Sequence, residues 1–124
     1  MTKVKLTIND QELTANFEDN DTSRAIMAQF PLKVSMMNLY SREMTYRFKE
    51  ALPAKKAKTS GYEVGDIAYW APRHSFVIFY KQTGEVIGDL QKIGHINSQK
   101  IGHIKDDISF FNQLGDTDIE FSIE

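Results

Sequence analysis

Apolar and polar side chains alternate with a period of two at both ends of this chain and at several places between, and nothing else in the sequence limits its folding so strongly. Val4, Leu6 and Ile8 alternate with Lys3, Lys5 and Thr7, and after Asn9 and Asp10 the pattern resumes at Leu13, Ala15 and Phe17. Successive side chains of an extended strand point to opposite faces, so this spacing predicts a β-hairpin with one buried face. Leu32, Val34 and Met36 repeat the pattern, as do Met44, Tyr46 and Phe48 beyond the polar Ser41, Arg42 and Glu43. Ile119, Phe121 and Ile123 alternate with Asp118, Glu120 and Ser122 in a last strand. Residues 76–80 break the alternation with Phe-Val-Ile-Phe-Tyr, the continuous apolar run of a strand covered on both faces and the expected centre of the core.

Between the strands, Asp19, Asn20, Asp21 and Thr22 offer N-caps for a short helix over 23–30, where Ile26 and Phe30 lie one turn apart and Pro31 blocks continuation. A second short helix is expected over 107–111, capped by Asp106 or Asp107 and closed off by Gly115. Residues 53–61, poor in large apolar side chains and holding Lys55, Lys56 and Lys58, read as an exposed loop. Gly65-Asp66 turns into a strand that Pro72 ends, and residues 86–96 read as one long strand or a pair. A length of 124 residues suits one hydrophobic core, so a single domain over 1–124 is expected.

Composition narrows the function classes. With 15 basic and 17 acidic side chains the formal net charge is -2, so the chain lacks the overall positive field that draws proteins to phosphate backbones, and nucleic acid is not an expected partner. The absence of cysteine removes disulfides, thiolate nucleophiles and zinc-thiolate sites and fits a reducing compartment. No apolar stretch is long enough for a signal peptide or a membrane span, so a soluble, cytoplasmic protein with no membrane partner is expected.

The run Gly65-Asp66-Ile67-Ala68-Tyr69-Trp70-Ala71-Pro72, followed by Val77-Ile78-Phe79-Tyr80 and by Leu90-Gln91-Lys92-Ile93-Gly94-His95-Ile96, resembles the small bacterial cyclophilin-like proteins of uncharacterised function. Residues 3–9 at the start, Lys-Val-Lys-Leu-Thr-Ile-Asn, and the Pro31-Leu32 step are similar to the same family, so the resemblance covers essentially the whole chain. It implies a mainly β, cyclophilin-like antiparallel barrel, closed or partly open, with two short helices and a groove for a peptide or small ligand. Prolyl isomerases of the cyclophilin class carry a Phe-His-Arg strand, whose arginine polarises the proline amide, and a Gln-Gly-Gly-Asp segment. Neither string occurs here, and the nearest echo is Tyr46-Arg47-Phe48. The resemblance therefore implies a non-catalytic binding module first and a weak peptidyl-prolyl isomerase second.

The candidate ligand-binding residues are Arg47, Tyr69, Trp70, His74 and Phe79, with Arg47 the one catalytic candidate. A guanidinium presents several rigid donors and stays charged, so Arg47 suits a carbonyl or an anion; the plainer reading is a surface arginine beside the lysine loop. Aromatic rings at 69, 70, 76 and 79 can line a groove, although alternation sends some of them into the core. The histidines at 74, 95 and 103 fit no compact metal motif, and no metal or cofactor is expected. His95 and His103 fall in a short repeat, Gln-Lys-Ile-Gly-His-Ile at 91–96 and 99–104, which suggests two similar strand segments. His74-Ser75 lacks the nucleophile-elbow context of a serine hydrolase. Asp116, Asp118 and Glu120 share one strand face, where calcium is possible in principle, but a solvated edge that guards the sheet against aggregation is the simpler account.

Overall fold

The computed structural model describes residues 1–97 and 108–124. Among the described residues nine strands and one α-helix follow in chain order: β1 Thr2–Ile8, β2 Gln11–Phe17, α1 Asp21–Met27, β3 Leu32–Leu39, β4 Glu43–Arg47, β5 Lys58–Ser60, β6 Asp66–Trp70, β7 Ser75–Phe79, β8 Ile87–Asn97 and β9 Thr117–Ile123. Eight of the strands form a closed antiparallel barrel in the order β2-β1-β9-β3-β4-β7-β6-β8, and β8 returns to β2. The expected hairpin is present, with Ile8 opposite Gln11 and Asn9 in the left-handed region at φ 54°. Two differences concern strand edges. The loop expected over 53–61 contains β5, which pairs with β8 outside the barrel order. The strand bearing Asp118 and Glu120 is no edge, because β9 runs between β1 and β3 with one face buried and the other in water.

Closure depends on the long β8. One of its sides follows β6 from Leu90 to His95, while the other passes from β5, at Ile87 to Leu90, to β2, at Gly94 to Asn97. Gly94 sits at this seam, where an added Cβ would lie 2.5 Å from the Asn16 carbonyl oxygen and 3.0 Å from the Phe17 ring. Only glycine lets the strands approach so closely. The first copy of the sequence repeat lies in β8, and the second falls outside the described residues.

The two ends of the interior are covered as the helix signals suggest, with different lengths. Asn20 caps α1 by accepting from the Ser23 N–H at 2.9 Å, and the helix places Ile26 in the interior cluster. It stops at Met27, short of the expected Phe30. The second element is a 3-10 turn, Ser109–Gln113, which buries Phe111; its proposed aspartate caps lie outside the described residues. Asn38 ties it down, donating to the carbonyls of Phe111 at 3.0 Å and Leu114 at 2.7 Å while accepting from the Tyr80 hydroxyl at 2.5 Å. No helix among the described residues is long and apolar enough to cross a membrane.

All five residues of β7 are buried, as the apolar run predicts. Phe76, Ile78 and the following Tyr80 face the barrel interior with Leu6, Ile67 and Ile93, where Phe76 meets Phe121 at 4.9 Å between ring centroids. Val77 and Phe79 face outward into a second cluster with Tyr62, Ala68 and Leu90. The strand therefore serves two apolar layers on opposite sides of one sheet. The outer layer is where a groove forms.

Candidate functional site

Strand register builds the groove. Glu43, Thr45 and Arg47 alternate along β4 and stand opposite Phe79, Val77 and Ser75 on β7, all on the outward face. Ser75 in turn pairs with Trp70 on β6, so Arg47, Ser75 and Trp70 lie in one row across three strands. After Tyr80 the chain leaves the sheet and comes back as Glu85 to Leu90, which form the wall opposite β4. The half-open groove has a volume of about 640 Å³, with Val77 and Phe79 on its floor, Tyr40 and Arg42 at one end, and Trp70 and Pro72 at the other. That volume suits a small organic ligand or a few residues of peptide.

The far wall is held in place by side chains. Tyr62 stacks on Phe79 with centroids 4.0 Å apart. The Thr83 hydroxyl donates to Glu85 at 2.8 Å, so in its 2.5 Å contact with Tyr62 the tyrosine is the donor. Arg42 bridges the two walls, pairing with Glu43 beside it and with Glu85 across the groove at 3.0 Å, its guanidinium 5.8 Å from the Phe79 ring centroid. Burial works against the charge on Arg42, but the hydrogen bond and attraction of Glu43, then Glu85, outweigh it and hold its pKa above the ordinary value. The Glu85 carboxyl is held below its ordinary value by the Thr83 hydrogen bond first and by Arg42 second. Trp70 fastens the other end by donating from Nε1 to the Gly88 carbonyl at 2.9 Å, and Asp89 beside it takes φ 56°, a region that residues with a Cβ seldom occupy.

Among the described residues Arg47 differs from every other buried or half-buried side-chain donor of the groove. The donors of Arg42, Thr45, Trp70 and Ser75 all have acceptors: the two glutamates, Glu43 at 2.6 Å, the Gly88 carbonyl and, at 3.3 Å, the Arg73 carbonyl. Arg47 Nε is shut off from solvent and has no hydrogen-bond partner, and no carboxylate of the described residues pairs with the guanidinium. A buried donor left unpaired costs about 1 to 3 kcal/mol, more when charged, so it normally finds a partner in protein, water or ligand.

Of the five residues singled out in the sequence, Arg47, Trp70 and Phe79 meet in this groove, whereas Tyr69 and His74 do not line it. Tyr69 is one residue out of phase with Trp70, so its ring turns inward, fully buried, and its hydroxyl accepts from the Leu52 N–H at 3.0 Å. His74 ends the 3-10 turn Ala71–Arg73 in the left-handed region at φ 53°, with Nδ1 3.2 Å from the Phe48 carbonyl oxygen. His95 is exposed on β8 and His103 lies outside the described residues. Among the described residues no group of histidine and carboxylate side chains is arranged to hold a metal. Sequence reading missed Arg42, Glu43 and Glu85, because charged residues flanking a strand and a turn look like ordinary solvated surface until the chain folds back over the sheet.

The profile of the Cyclophilin-like family matches residues 6–124. The chain belongs to that family. This cyclophilin-like chain is similar in fold to the solution structure of a hypothetical protein from the archaeon Archaeoglobus fulgidus, with a TM-score of 0.73 and 16% sequence identity over 99% of this chain and 95% of that one. At that identity the likeness concerns the barrel alone. No curated protein matches the cyclophilin-like chain.

Proposed function

We propose that this cyclophilin-like barrel is a non-catalytic binding module that takes a peptide or small ligand into the groove between β4 and residues 85–90. The observation that carries this reading is the buried, unpartnered Nε of Arg47 above an apolar floor. Placing charged or polar groups in an apolar recess is unfavourable unless a partner satisfies them, and a bound carbonyl or carboxylate is such a partner. The test is protein-observed NMR with proline-containing peptides and a metabolite panel. Shifts confined to residues 43–47, 75–79 and 85–90, and lost in Arg47→Ala, are expected. Binding that maps to any other surface overturns the reading.

A second reading, a weak peptidyl-prolyl isomerase, is favoured by one observation: Arg47 shares the groove with Trp70 and Phe79. The barrier to rotation about a peptide bond is about 18 to 20 kcal/mol, so useful catalysis needs several donors placed on the twisted amide. Arg47 is the one buried or half-buried side-chain donor of the groove left without an acceptor among the described residues, and His74 is engaged with Phe48. Little or no turnover is expected in a protease-free NMR exchange assay on a short proline peptide. Robust turnover in the wild type, lost in Arg47→Ala, moves the isomerase to first place.

A further inference from the structure

Resting on the groove reading above, we propose that the ligand is a small organic carboxylate with an apolar or aromatic body, its carboxylate on Arg47 and its body against Trp70, Val86 and Ile87. Charge complementarity supports this class. The groove has two guanidinium groups, and Arg42 is already neutralised by Glu43 and Glu85 on either side. Its remaining carboxylate, Asp89, is exposed on the opposite wall and is not paired with Arg47. Arg47 is thus the one groove cation without an anion among the described residues, and it is partly withdrawn from water, where charge-assisted bonds are strongest. A guanidinium is matched by the two oxygens of a carboxylate, which accept in parallel, better than by a lone carbonyl. The rest of the groove has a different demand. Val77 and Phe79 are only 2% and 1% exposed, so the apolar surface open to a ligand comes from Val86, Ile87 and Trp70. The ligand that meets both demands has a single anionic end. A second charge would fall either on this apolar surface or beside the Glu43 and Glu85 carboxylates.

The probes are N-acetyl-phenylalanine and its neutral amide, titrated into the full chain by protein-observed NMR. The acid is expected to bind at least tenfold more tightly than the amide, shifting residues 43–47, 75–79 and 85–90. Arg47→Gln is expected to erase that preference, and Arg47→Lys to restore part of it. Equal binding of acid and amide to the wild type overturns the carboxylate inference and leaves the groove reading intact; this comparison needs no variant, so it holds even if the substitutions impair folding. Shifts from the acid that map away from the groove overturn both. A third arm uses a peptide with a free C-terminus. If that peptide binds and N-acetyl-phenylalanine does not, the small-molecule class is overturned in favour of a peptide terminus.

Discussion

Replacing Phe79 by alanine removes a ring that is 1% exposed, stacked on Tyr62 and faced by the Arg42 guanidinium. A loss of about 3 to 5 kcal/mol is expected from the lost burial and the cavity left behind. A urea midpoint indistinguishable from wild type would show that the outer cluster contributes nothing to the fold. Because a ring that is 1% exposed leaves a ligand almost nothing to touch, the better probe of apolar contact is Val86→Ser, at a residue 66% exposed, with weakened ligand affinity expected at near-normal stability. Ser75 and Thr45, by contrast, spend their hydroxyls on the Arg73 carbonyl and on Glu43. Their place beside Arg47 is therefore not in itself a sign of reactivity. The residue types suggested all five candidates in the sequence; that Arg47, Trp70 and Phe79 share one groove while Tyr69 and His74 do not line it followed only from strand phase and the left-handed turn at 74.

Two elements of the fold each make their own prediction. At the β2–β8 seam, Gly94→Ala pushes a methyl group against a backbone carbonyl that cannot rotate away. Overpacking of this kind costs about 1 to 3 kcal/mol, occasionally more, and a fall in the denaturant midpoint is expected. A midpoint at or above the wild-type value would mean that the two strands can separate at no cost. The wall of residues 85–90 is held by the Arg42–Glu85 pair, whose contribution follows the ionisation of Glu85. Since the folded Glu85 carboxyl ionises below its ordinary value, its stabilisation is fully present above the ordinary carboxylate range and is lost as pH falls through the lowered folded value. Arg42 stays charged throughout that window. The difference in stability between wild type and Glu85→Gln is therefore expected at neutral pH and expected to vanish in acid, as measured by thermal melts across the carboxylate range. A difference that persists unchanged at low pH removes the ion pair as the cause.

For the whole molecule, the single tryptophan reports on the outer cluster, while the far-ultraviolet circular dichroism signal reports on the barrel. Because β7 belongs to both apolar layers, the outer layer cannot be lost without disturbing the inner one. The two signals are expected to share one urea midpoint, as a single cooperative domain requires. An earlier Trp70 transition would instead identify the outer cluster as a separately melting unit and weaken the expectation of one domain over the chain. Closure contributes to the same cooperativity: with β2 joined to β8, the eight-strand barrel leaves no interior strand at an open edge.

The sequence by itself determined the alternation, the hairpin at Asn9-Asp10, the helix cap near Asn20 and the double burial of residues 76–80. These are local properties, set by side-chain periodicity and by the backbone preferences of a few residues, and they survive any arrangement of the strands. Tertiary structure alone decided that β9 is flanked on both sides, that the lysine loop holds a strand, and that Gly94 marks the seam. It also decided that residues 85–90 return across the sheet to stand opposite Arg47. Each of these depends on which distant segments become neighbours, and such long-range pairing leaves no periodic trace in either partner. The partner of a charge is the clearest case: in the sequence Arg42 and Arg47 look alike, and only the fold gives one of them two carboxylates and leaves the other without any among the described residues.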